Sequence, residues 1–129
     1  MSERAYILDA SALLALMRGE PGAEQVAAVL RRSRISAVNL AEVAARLVDH
    51  GMPAAEVDGS FARLELDVMP FDRTLALQSG ELRAATRSRG LSLGDRACLA
   101  AARTQRAIAM SADRAWATLE LGIEVQIIR

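Results

Sequence analysis

Four acidic residues, Asp9, Glu42, Asp95 and Asp113, stand where apolar runs give way to helical patterns. Asp9 directly follows the apolar run Ala5-Tyr6-Ile7-Leu8, and Asp113 follows Ile108-Ala109-Met110 after only Ser111 and Ala112. Glu42 and Asp95 fall in the early turns of helices that open after Ser36 and Ser92. If these elements share one sheet, all four carboxylates lie near one of its edges. Two carboxylates about 4 Å apart repel by roughly 4 kcal/mol at an effective dielectric of 20. A hard divalent cation such as Mg²⁺, which prefers oxygen ligands, turns that repulsion into coordination.

Each position also has a structural reading. Asp9 can cap the helix that follows it. Asp95 closes Ser92-Leu93-Gly94-Asp95, a capping-box variant, although the neighbouring Cys98, Leu99 and Ala102 make its helix mostly apolar. Glu42 precedes Arg46 by four residues, the spacing of a surface ion pair, on a polar stripe with Asn39 and Asp49. Asp113 can cap a short helix containing Trp116. Capping and chemistry stay open for each residue taken alone, and only the joint arrangement points to a metal site. Arg96 and Arg114 each follow one of these acids, and balancing local charge is favoured over holding a phosphate. His50 beside Gly51 has no acid–base partner in the pattern and reads as structural, and Trp116 reads as a core anchor.

The elements that must position these groups alternate. A strand ends at Leu8, a helix covers Ser11 to Arg18, and Pro21 fits the first turn of a second helix through about Arg32. Arg34-Ile35-Ser36 is a strand. A helix from Val38 to His50 stops at Gly51, and Pro53 restarts one to about Leu64. Asp67 to Phe71 is extended, Asp72 caps a long helix ending near Gly90, and Ser92 caps the next to about Gln105. Ala107 to Met110 is a strand, Asp113 to Leu121 a short helix, and Glu124 to Ile128 a last strand. Uninterrupted apolar strands alternating with helices predict an α/β fold, a three-layer α/β/α sandwich around a mostly parallel sheet. Ligand sites in such folds form beyond the carboxyl ends of the strands.

With 129 residues, the chain is expected to be one domain, 1–129. Net charge is zero, yet setting aside the four acids leaves twelve against sixteen basic residues, compatible with an acidic pit in a cationic surround. All sixteen are arginine. The single Cys98 excludes an internal disulfide and suits a reducing cytoplasm, and no signal or membrane-length apolar run is visible.

These strings, in this order, resemble the PIN-domain family, and within it the VapC toxins of bacterial toxin–antitoxin pairs. The resemblance rests on Ile7-Leu8-Asp9-Ala10-Ser11-Ala12-Leu13, on Ile35 to Val43, on Pro70-Phe71-Asp72, on Gly90 to Arg96, and on Ser111-Ala112-Asp113-Arg114-Ala115-Trp116. It implies carboxylates that converge on Mg²⁺ or Mn²⁺. Asp9 and Asp95 match the most secure ligands, Asp113 a further acidic ligand, and Glu42 a ligand acting directly or through water. Ser11 and Ser111 match supporting hydroxyls; position 111 is often Thr in the family, and Ser keeps the hydroxyl. The implied activity is hydrolysis of RNA by metal-activated water, leaving a 5′-phosphate and a 3′-hydroxyl. The implied partners are an RNA substrate, a VapB antitoxin and a second copy of the chain. Receiver domains and haloacid-dehalogenase phosphatases, which share the alternation, need a lysine or lysine-like partner that this chain lacks. The alternative from another class is a non-catalytic PIN-like module that binds protein or RNA.

Overall fold

Five short apolar segments pair in parallel: β1 (Tyr6–Leu8), β2 (Ser33–Ser36), β3 (Asp67–Met69), β4 (Ile108–Ser111) and β5 (Val125–Ile127). In this computed structural model, which describes residues 4–129, they form one sheet in the order β3-β2-β1-β4-β5. The first three residues of the expected 1–129 domain lie outside the described residues. Between the strands run α1 (Ala10–Arg18), α2 (Ala23–Val29), α3 (Ala37–Asp49), α4 (Ala54–Ala62), α5 (Arg73–Thr86) and α6 (Leu93–Gln105). Single 3₁₀ segments follow α2, α5 and β4.

Strands of three or four residues hold because both faces of the sheet are covered. Successive side chains point to opposite faces. Ile7 and Ala109 therefore join one core with Leu75 and Leu82 of α5, Leu99 of α6, and Trp116. Leu8, Ile35 and Met110 join the other with Leu13 of α1, Val26 of α2 and Val43 of α3. The result is the three-layer α/β/α sandwich expected from the sequence. Trp116 is buried as the expected core anchor.

Boundaries differ where long-range packing intervenes. Pro21 does not open α2. It lies in the preceding turn, and the helix begins only after Gly22, whose φ is +97°. A Cβ at Gly22 would stand 2.7 Å from side-chain and backbone atoms of Ile128, so the chain there is pressed against the end of β5. The expected helix Asp113 to Leu121 is a 3₁₀ segment over Arg114–Thr118, because the chain must turn at Gly122, with φ +70°, to enter β5.

The strand order fixes the site. From β1 the chain steps outward to β2 and β3, then returns to lay β4 on the other side of β1. The reversal leaves a crevice between the carboxyl ends of β1 and β4, where ligands bind in open parallel sheets. Leu8 is in register with Met110, so the residues that follow are Asp9 on one strand and Ser111 on the other.

Candidate functional site

Asp9 sits in that crevice, 5% exposed, with its backbone N–H bonded to Met110 O at 3.0 Å. Its Oδ1 accepts from the Ser11 hydroxyl at 2.7 Å and from Ala12 N–H at 2.8 Å, the latter capping α1. Its Oδ2 accepts from the Ser111 hydroxyl at 2.6 Å. Both serines are then used again as acceptors: Ala112 N–H donates to Ser11 Oγ at 2.9 Å and Asp113 N–H to Ser111 Oγ at 3.0 Å. A hydroxyl has one proton, and both protons are committed to Asp9, so the 3.4 Å approach of the two serine oxygens is a contact rather than a bond. Ser11 and Ser111 thus tie the turn after β1 to the turn after β4. Burial pushes the Asp9 carboxyl up to about 6. The bonds from Ser111, Ser11 and Ala12 hold it down, and the charge of Asp95 adds to the rise.

Asp95 and Asp113 hold caps and keep an oxygen each. Ser92 and Asp95 form a complete capping box on α6: Asp95 N–H donates to Ser92 Oγ at 3.2 Å and Ser92 N–H to Asp95 Oδ2 at 3.0 Å. Asp113 Oδ1 accepts from Ala115 N–H at 3.0 Å. The structural readings of Asp9, Asp95 and Asp113 are therefore all correct, and none consumes the whole carboxylate. Glu42 is half-buried on α3, where its Oε1 accepts from Asn39 Nδ2 at 2.9 Å. Burial raises its carboxyl above the usual range, against the Asn39 bond and with the help of Asp95.

All four acids line one open cleft of about 520 Å³, together with Ser11, Asn39, Glu20, Arg18, Arg46 and Arg129. Among the described residues none of the four is in an ion pair. The pair expected between Glu42 and Arg46 is absent, and the Arg46 side chain has no partner among the described residues. Arg18 and Arg129 instead share Glu20, at 3.8 and 3.6 Å. His50 stands at the end of α3, where its Nδ1 donates to Arg46 O at 2.6 Å and its Nε2 accepts from Arg18 at 2.8 Å. Its role is structural, as the sequence pattern indicates.

The donor set is entirely oxygen, which suits a hard divalent ion. Among the described residues, however, no three acidic, His or Cys side chains gather tightly enough to make a ready cage. The convergence implied by the resemblance is therefore looser than expected: the acids share walls of a cleft rather than a point. Mg²⁺ is compatible with such walls, because it keeps several waters and takes one or two carboxylates plus substrate phosphate. Asp9 is buried, has no ion-pair partner among the described residues, and carries a raised pKa, a combination found more often at functional sites.

The two arginines that flank the acids in sequence do not face the cleft. Arg96 donates to Ser79 O at 3.0 Å and Arg114, through Nε, to Arg129 O at 2.9 Å, and neither lines the cleft. The cleft cations are Arg18, Arg46 and Arg129, which sequence reasoning either missed or assigned elsewhere. Arg46, one turn beyond Glu42, carried a signal. Arg129 carried none, since only the fold brings the last residue to the first strand's end. Asn39, read as part of a wet stripe, is 1% exposed. Cys98 is buried, with its thiol pushed up by burial and by the nearby acids.

Comparison with known proteins agrees with this architecture. A toxin–antitoxin complex from Klebsiella pneumoniae superposes with a TM-score of 0.75 at 20% identity, over 97% of this chain and 98% of that one. A DNA-bound VapBC from Salmonella typhimurium gives 0.70 at 18%, over 98% and 100%. VapC20 of Mycobacterium tuberculosis, described as a Sarcin-Ricin loop cleaving toxin, gives 0.72 at 21%, over 90% and 97%. At these identities the likeness is one of fold. No curated protein matches the chain. The family profile described as PIN domain matches residues 6–120, which takes in all four acids and both serines. The chain belongs to the PIN domain family.

Proposed function

We propose that this protein is a divalent-metal-dependent endoribonuclease, the VapC-type toxin of a type II toxin–antitoxin pair, acting as one domain over residues 1–129. The observation that carries the reading is the cleft at the β1/β4 switch point, lined by four acids that make no ion pair among the described residues and by three arginines. Membership of the PIN family and the fold shared with a Sarcin-Ricin loop cleaving toxin support the same reading.

Asp9, Asp95 and Asp113, with Glu42 directly or through water, would hold Mg²⁺ or Mn²⁺. Such an ion, when bound, supplies an acidified water and offsets charge on the phosphate. The serines Ser11 and Ser111 fix both oxygens of Asp9 and so set the direction of its remaining lone pairs. Arg46, without a side-chain partner, is placed to hold a backbone phosphate by charge-assisted bonds. Cleavage then leaves a 5′-phosphate and a 3′-hydroxyl, with no need of the RNA 2′-hydroxyl as nucleophile.

The reading extends to partners. The Klebsiella and Salmonella structures are toxin–antitoxin complexes, which supports a VapB-type antitoxin here, and a homodimer and a cytoplasmic setting go with it. No described helix is long and apolar enough to cross a membrane. The test is Mg²⁺-dependent cleavage of mixed RNA by pure protein, run beside Asp9→Asn, with end mapping of the products. We expect cleavage by the wild type only, with 5′-phosphate ends. Equal cleavage by both proteins, or 2′,3′-cyclic phosphate ends, overturns the reading; no cleavage by either leaves a binding module.

A further inference from the structure

Two features of the cleft wall between α3 and α6 have no part in the reading above. The first is Asn39, whose side-chain amide is buried at 1% exposure on the first turn of α3. Its Nδ2 donates twice, to Glu42 Oε1 at 2.9 Å and to Gly94 O at 3.0 Å on α6. Its Oδ1 is buried without a hydrogen-bond partner among the described residues. Flipping the amide would not help, because Oδ1 would then face two acceptors. An apolar side chain of this volume would avoid that buried, unsatisfied acceptor. The two donations bind Asn39 to Glu42 and to α6, and the orphaned acceptor is what placing an amide here costs.

The second feature is Gly94, buried in the first turn of α6 with an ordinary backbone conformation. A Cβ built on it would stand 2.5 Å from both the carboxyl carbon and Oε2 of Glu42. The Glu42 carboxylate therefore lies flat against the backbone of α6 at its N-terminal end, where the helix dipole favours negative charge. The obstruction meets the far end of a flexible side chain. A larger residue at position 94 would displace Glu42 and leave the helix in place.

We infer that Asn39 and Gly94 form a seat for Glu42, with Asn39 a positioning residue that holds the Glu42 carboxylate beside Asp95 before any metal arrives. The seat is assembled from residues 55 apart in sequence and fixes α3 to the turn of α6 that carries Asp95. It addresses the looseness of the acid set: Glu42 cannot rely on the other carboxylates to place it, so a neutral amide does. The inference rests on the metal-dependent reading proposed above.

The test measures Mn²⁺ binding alone, by the loss of the free-ion electron paramagnetic resonance signal, in the full chain without RNA. Asn39→Leu keeps the side-chain volume and removes both donations. It is expected to melt within a few degrees of the wild type and to bind Mn²⁺ about tenfold more weakly, as outer-shell partners of metal ligands commonly do. Gly94→Ala, which leaves Asn39 intact, is expected to show a similar loss and serves by itself if Asn39→Leu does not fold. Each change is then repeated in a Glu42→Ala background, where it should cost less than about twofold, because residues acting through one group are not additive. An undiminished loss in that background, or unchanged Mn²⁺ binding by folded Asn39→Leu and Gly94→Ala, overturns the inference while leaving the metal reading standing. A wild-type protein that takes up no Mn²⁺ overturns the metal reading and this inference together.

Discussion

Asp9 is held in a state of tension that its neighbours only partly relieve. Three hydrogen bonds favour its charged form, yet burial raises its pKa from 3.8 to about 6. In the unfolded chain the carboxyl titrates near 4. Between about pH 4 and 6 the folded protein therefore binds more protons than the unfolded one, and stability falls as pH rises through that window. The penalty is fully present above pH 6, at most about 3 kcal/mol from this shift. Metal-free wild type should lose stability relative to Asp9→Asn as pH climbs from 4 to 6; urea titrations of both across pH check this. A constant difference between the two would show that the buried charge carries no such cost. Ser111 acts on the same balance, since its hydroxyl donates to Asp9 Oδ2 and accepts from Asp113 N–H. Ser111→Ala should cost about 1–2 kcal/mol and move the Asp9 window to higher pH, both read from the same titrations.

The elements were legible from sequence wherever their signals are local. The side chains of Asp9, Asp72 and Ser92 all cap the helices assigned to them, because a cap is decided within three residues of chain. The acids were legible for the same reason: each stands beside an element end that its own neighbours declare. What local pattern could not supply is contact between distant segments. Nothing around Asn39 announces Gly94, and nothing around Pro21 announces that Gly22 will be pressed against Ile128, so one was read as wet and the other as inside a helix. Gly22 makes the second point testable. With φ +97° and no room for a methyl, Gly22→Ala should destabilise the fold by about 1–3 kcal/mol. Loss of less than about 0.5 kcal/mol in denaturant would mean that the turn before α2 gives way at little cost.

Across the whole molecule, a net charge of zero conceals a division of labour. Five acids and three arginines line the one cleft, so the field that a phosphate chain meets there is not the average one. Of the cleft cations Arg46 has no side-chain partner among the described residues, while Arg18 and Arg129 are engaged by Glu20. Arg46→Ala should therefore raise KM several-fold with little change in kcat. It should also reduce the salt dependence of single-stranded RNA binding by roughly 0.7 in logarithmic slope. Fluorescence anisotropy in the Asp9→Asn background measures the second effect without cleavage. A lower kcat at unchanged KM would place Arg46 at the reacting phosphate instead.

The stitching of Asp9 by Ser11 and Ser111 across the two middle strands has a consequence for how such a protein can be kept quiet. Prising the pit apart would mean unzipping the sheet at its centre, which is the last part of a fold to give way. A regulator of the proposed activity is therefore expected to act from outside, by stopping the mouth of the pit, since parting these two strands would cost the fold.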